Sequence, residues 1–98
     1  MSVIEVRQTE VFSKWLRGLR DRLARVRIQA RIDRMQDGNA GDVRPVGEGV
    51  SEMRIHFGPG YRVYFTRRGA ELVILLAGGD KSSQSDDIRK ALTLAREL

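Results

Sequence analysis

The chain has 98 residues, with 18 Lys and Arg against 13 Asp and Glu, one His and no Cys. That length accommodates a single domain spanning residues 1–98, and it exceeds the roughly 40 residues below which folding usually needs a staple. Without Cys there is no disulfide framework, no thiolate-bound zinc and no Cys nucleophile, and a single His excludes a multi-His metal site.

An apolar fraction of 41% and a charged fraction of 32% suit a soluble globular domain. No apolar run approaches the ~18 residues of a membrane span; the longest, Leu72 to Ala77, has the length of a strand. Glu5 interrupts the first apolar stretch, which argues against a signal peptide, and a cytoplasmic address without membrane partners fits a cysteine-free chain. Fifteen of the basic residues are Arg and only 3 are Lys (Lys14, Lys81 and Lys90). Guanidinium forks bind phosphate and carboxylate at two points, so the excess favours polyanion or acidic-protein partners. The codon bias of a GC-rich genome would produce the same excess.

In chain order, Val3 to Arg7 reads as a short strand rich in β-branched residues. Thr9 is placed to cap a helix in which Val11, Phe12, Trp15, Leu16 and Leu19 recur on one face, and Gly18 weakens its end. Asp21 caps a second helix over Arg22–Gln36. Leu23, Val26, Ala30 and Asp33 lie along one side of it, Ala24, Ile28, Ile32 and Met35 lie nearby, and arginines fill the rest. Asp37 to Asp42 is loop chemistry. Ser51 to Phe57 then alternates, Met53, Ile55 and Phe57 against Glu52, Arg54 and His56. Gly58-Pro59-Gly60 turns the chain into a second alternating run, Tyr61, Val63 and Phe65 against Arg62, Tyr64 and Thr66. Leu72 to Ala77 has no polar member and reads as a strand covered on both faces, with Gly78-Gly79-Asp80 expected to break it. Ser85 to Leu98 reads as a helix capped by Ser85 or Asp86. The fold class is therefore α+β, in the order β-α-α-β-β-β-α, with an antiparallel meander packed against helices.

The alternation places Arg54 and His56 on one face of one strand, and Arg62 and Tyr64 on one face of the next. If those faces coincide, the four side chains form one cross-strand cluster. Two guanidiniums can offset charge on a phosphodiester and an imidazole can move a proton near neutral pH. The plainer reading is a solvated polar face with an ordinary His. Gly78 to Ser82 lacks the spacing of a nucleotide-binding phosphate loop, and Ser82, Ser83 and Ser85 have no adjacent base.

The order and spacing of several segments match a known pattern. They are Phe12-Ser13-Lys14-Trp15-Leu16, Gly49 to Ile55, Gly58-Pro59-Gly60-Tyr61-Arg62-Val63-Tyr64-Phe65, and Leu75 to Gln84 followed by Asp87-Ile88 and Ala91. Over nearly its full length the chain resembles the RelE/ParE superfamily of type II toxin–antitoxin toxins, in the HigB-like branch of addiction module killer proteins (phage Gp49-like). The resemblance implies a RelE-like fold and a ribosome-dependent mRNA endoribonuclease (mRNA interferase) that inhibits translation. Such enzymes act by 2′-hydroxyl attack, without metal or other cofactor. Arg62 falls at the G-Y-R position that contacts the scissile phosphate, Arg54 at the basic second-strand position and Lys81 at the basic position after the last strand. Arg54, Arg62, His56 and Lys81 are thus the expected catalytic set, with Tyr64 joining Arg54, Arg62 and Lys81 in RNA binding. The implied partners are the ribosome, mRNA and a cognate antitoxin, often a helix-turn-helix protein through which alone operator DNA is bound. An acidic antitoxin segment would lie over the Arg-rich helices and the polar sheet face. The chain departs from the pattern at Ser83 to Ile88, where many relatives carry a Tyr or His as acid or base. That departure keeps two alternatives in view: a ParE-like toxin that poisons DNA gyrase, and a regulatory module without toxicity.

Overall fold

The computed structural model describes residues 4–98. Its elements are β1 (Glu5–Gln8), α1 (Glu10–Gly18), α2 (Arg22–Gln36), β2 (Val43–Gly47), β3 (Val50–Ile55), β4 (Tyr61–Arg68), β5 (Leu72–Asp80) and α3 (Gln84–Arg96), with one 3-10 turn at Lys81–Ser83 before α3. They form one five-stranded sheet in the order β1-β5-β4-β3-β2. Strands β2 to β5 are an antiparallel meander, and β1 adds parallel to β5. Val3, expected to open the first strand, lies outside the described residues.

The expected α+β class holds, with one strand more than the sequence order anticipated. Strand β2 contains Pro45, and four of its five residues are exposed, so it shows no alternation. It is an edge strand, where a proline costs no central ladder bond. The glycines after Ala77 do not break β5, which continues to Asp80. Helix α3 starts before the anticipated cap: its N-cap is Ser83, and Asp86 and Asp87 lie in its first turn.

The first two helices form where their caps dictate. The Thr9 hydroxyl accepts from the Phe12 amide and the Asp21 carboxylate from the Ala24 amide. Helix α2 buries Ala24, Ile28, Ile32 and Met35, a 3-and-4 stripe. Leu23 and Val26, which lie along the side shared with Ala30 and Asp33, are exposed. The arginines crowd the remaining surface, so the apolar contact of α2 is a narrow stripe.

The sheet has two apolar faces. Met53, Ile55, Tyr61, Val63, Phe65, Val73 and Leu75 pack with Phe12 and the α2 stripe. Val50, Tyr64, Leu76 and Ala77 pack with Ala91 of α3. A register shift opposite Tyr64/Phe65 leaves Leu76 unpaired, a bulge that puts Leu76 and Ala77 on the α3 side together. Strand β5 therefore lies between helices, as its wholly apolar sequence implied.

Two adjacent glycines at the end of β5 admit the helices. A Cβ on Gly78 would stand 2.2 Å from the Trp15 ring, and one on Gly79 would stand 1.8 Å from the Asp87 carboxylate. Trp15 is itself wedged between Phe12 and Tyr61, with ring centroids 5.7 and 6.3 Å away. Gly78→Ala should lower stability by about 1–3 kcal/mol through overpacking, read as a fall in the urea midpoint. A variant as stable as the parent would show that Trp15 can yield.

Candidate functional site

Strand register decides which predicted residues meet. Arg54 pairs directly with Arg62, and Glu52 pairs with Tyr64, across β3 and β4. All four lie on the α3 side of the sheet by alternation. The expected polar cluster is therefore brought together in part, and the face is not open: the first turn of α3 covers it.

The covered half is a buried ionic network. Arg62 is 5% exposed and Glu52 is fully buried. The Arg62 Nε lies 3.7 Å from Glu52 Oε1, while its Nη1 donates to the carbonyls of Gly60 and Tyr61. Gln84, at the start of α3, donates to Glu52 Oε2 at 2.6 Å. Ser83 donates to Asp87 Oδ2 at 2.5 Å, and Asp87 rests against Gly79, the register partner of Arg62. Glu52 Oε1, Arg62 Nε and Tyr64 OH are buried without a hydrogen-bond partner. Burial, reinforced by the charges of Glu52 and Asp87, raises the Tyr64 phenol well above its ordinary value. Tyr64 is a core residue whose hydroxyl points into this network.

The exposed half is organised by Asp42. Its carboxylate accepts from Arg54 Nη2 at 2.9 Å and meets His56 Nε2 at 2.6 Å. Hydrogen bonds from Arg54 and then His56 hold the Asp42 carboxyl below its usual range. His56 follows the last residue of β3 and its side chain is 69% exposed. Lys81 is exposed, but its stem packs on the Gly60 turn, where an added Cβ would stand 3.0 Å from its methylenes. It thus borders the carbonyl that holds Arg62.

Sequence reasoning did not give Asp42 or Gln84 a place, and gave Glu52 no role. Glu52 had a signal, since it shares a strand face with Arg54. Asp42 had none, because its approach to Arg54 depends on the unforeseen pairing of β2 with β3.

Chemically, the arrangement offers three cations at two levels: Lys81 and Arg54 near the surface and Arg62 beneath. It also offers an imidazole fixed by a carboxylate. The sequence profile of the phage derived protein Gp49-like family matches residues 14–98. The chain belongs to this family. A protein of Haemophilus influenzae, described as uncharacterized, is 48% identical over 95 residues, covering 97% of this chain and 96% of the relative. The fold is that of RelE: a free-state double arginine-to-alanine mutant of E. coli toxin RelE superposes with a TM-score of 0.71, at 15% identity, over 95% of this chain and 97% of that one. The resemblance drawn from the residues is thereby borne out in both family and fold.

The buried pair makes this Gp49-like protein sensitive at one point. Glu52→Ala would leave the Arg62 charge buried and unpaired, and should cost about 3–5 kcal/mol. Tyr64→Phe removes only an unpartnered hydroxyl and should leave stability unchanged or slightly raised. Chemical denaturation of both variants tests the pair of expectations, and a severe loss for Tyr64→Phe would mean that the hydroxyl is bonded in solution.

The Asp42 clamp has a definite pH sign. Its folded value lies below the ordinary ~3.9, so its contribution is present above that range and is lost as pH falls through the lowered value. Carboxyl NMR should give an Asp42 midpoint below ~3.9 that rises toward it in Arg54→Gln.

Proposed function

We propose that this Gp49-like protein is the toxin of a type II toxin–antitoxin system and cleaves mRNA on the ribosome. The observation that carries this reading is the direct pairing of Arg54 with Arg62, with Lys81 seated on the adjoining Gly60 turn. Convergent cations of this kind stabilise the extra charge of a phosphorane-like transition state. Family membership and the fold shared with a toxin support it.

In the proposed reaction a ribose 2′-oxygen attacks the adjacent phosphorus and the bond to the next nucleotide's 5′-oxygen breaks. The products are a 2′,3′-cyclic phosphate and a 5′-hydroxyl. His56 is the base. With Nε2–H directed at Asp42, the neutral ring carries its lone pair on Nδ1. The leaving oxygen takes a proton from Lys81 or from water. Arg54 and Lys81 meet the phosphate at the surface, and Arg62 reaches it when the first turn of α3 lifts from Glu52. A cognate antitoxin would hold the toxin inactive, binding outside the sheet face that α3 covers. An acidic antitoxin segment suits the arginines of α2.

One pair of observations favours a gyrase-poisoning toxin as the second reading. Arg62 is buried, and the first turn of α3 carries neither Tyr nor His.

Two assays on purified protein separate the readings. Message bound to translating ribosomes should be cut to 2′,3′-cyclic ends, while gyrase supercoiling is unaffected. Lys81→Gln is exposed and safe for folding, and should slow cutting by 10-fold or more, on the scale of one lost electrostatic contact. Arg62→Ala should abolish cutting and growth arrest. Full toxicity in a folded Arg62→Ala protein would sink the interferase reading.

A further inference from the structure

A second cationic surface lies beyond His56, on the opposite side from Arg62. Helix α2 and the end of β3 enclose an open cleft of about 270 Å³, lined chiefly by Arg27, Arg31, Arg34, Ile55, His56 and Phe57. Among the described residues no carboxylate lines it; Asp42 touches His56 and Arg54.

Each cation is presented differently. Arg31 is fixed: it donates to the carbonyls of Arg54 at 2.7 Å and Ala40 at 3.1 Å. Gly41 makes room for it, since a Cβ there would stand 2.7 Å from its Nη2. Carbonyls orient that charge without neutralising it. Arg27 lies over the Phe57 ring, 4.7 Å from the centroid, a stacking that leaves the N–H edges free. Arg27 and Arg34 are exposed and form no ion pair among the described residues. Burial lowers the proton affinity of Arg31, and Arg34 adds to the effect against the opposing pull of Asp42. The walls are thus positioned, like-charged and short of counterions.

We propose that this cleft is a second phosphate site, at which Arg27, Arg31 and Arg34 hold the RNA backbone beyond the nucleotide that His56 faces. This deepens the nuclease reading and rests on it. The cleft lies just below the ~300–1,000 Å³ of pockets that enclose a whole drug-sized ligand, so it suits a phosphate with part of its sugar. His56 links the two regions. It lines the cleft and, through Asp42, touches Arg54, whose strand partner is Arg62. A strand laid along this line would have one phosphate at the paired arginines and another against α2.

The test uses a short, fully 2′-O-methylated RNA that cannot be cleaved, so binding is read whether or not the protein is a nuclease. Arg27→Gln with Arg34→Gln removes two exposed cations from the cleft. Lys14→Gln with Lys90→Gln removes the same charge elsewhere. Fluorescence anisotropy across a salt series should give about 10-fold weaker binding for the cleft variant, with a salt slope shallower by about 1.4, at ~0.7 per lost phosphate contact on a single strand. The charge-matched variant should stay within about two-fold. Equal losses in the two variants, or an unchanged slope in the first, would overturn the proposal. Two further probes separate other occupants. If adenosine monophosphate shifts the His56 and Phe57 resonances while the RNA slope is unaltered, the cleft takes free phosphates and the proposal fails. It fails too if the cleft variant loses a poly-glutamate peptide but keeps RNA. Absence of ribosomal cleavage alongside a cleft-dependent RNA slope would discard the nuclease and retain the site.

Discussion

A charge pair sealed between sheet and helix constrains the rest of this molecule. Glu52 and Arg62 sit on neighbouring strands beneath the first turn of α3, almost without solvent. Removing two charges from water is costly, and a buried pair recovers that cost only when the remaining donors and acceptors are satisfied. Here they are not: Glu52 Oε1, Arg62 Nε and the Tyr64 hydroxyl are all orphaned. An apolar trio of similar volume would pack the same space with less penalty. The pair is therefore poorly explained by stability alone, and an incompletely bonded cation poised under a helix terminus is intelligible as part of a site.

The same constraint explains details of packing that otherwise look unrelated. For Gln84 to reach Glu52, and for Asp87 to lie against the backbone, α3 must begin close to the sheet. Gly79 permits that approach on one face of β5 and Gly78 permits the approach of Trp15 on the other. The bulge at Leu76 turns two consecutive apolar side chains toward α3, compensating with contact for the polar first turn. The helix is thus anchored apolar at Ala91 and ionic at its beginning. If one end releases, it is the ionic end, where desolvated groups gain water.

Much of this was readable from periodicity, and the failures share a cause. The caps at Thr9 and Asp21, the limits of α2 and the pairing of β3 with β4 follow from local chemistry. So does the interior position of β5. Local reasoning failed where the partner was distant. Strand β2 has one half-buried residue and a proline, and it is a strand only because β3 offers it an edge. Asp42 enters the site through that pairing. Alternation placed Arg62 and Tyr64 on one face correctly, but it could not reveal that α3 covers this face and makes Tyr64 part of an apolar cluster. The helix's 3-and-4 pattern is satisfied by packing on either side of a sheet.

The covering of that face changes how the charge should be weighed. The net charge of +5 counts Arg62 equally with Arg27 and Arg34, yet a buried, partnered guanidinium contributes little to the field that an approaching anion meets. Near the site the field at the surface comes from Arg54, Lys81 and the α2 arginines, and Asp42 offsets it locally. Asp42 binds Arg54 and His56 together, which fixes both and offsets the charge of Arg54 at the sheet edge. An uncompensated positive surface then lies on the α2 side of His56, where Arg31 is fixed by carbonyls and Arg27 and Arg34 form no ion pair among the described residues. The imidazole stands at the boundary between this surface and the sheet edge.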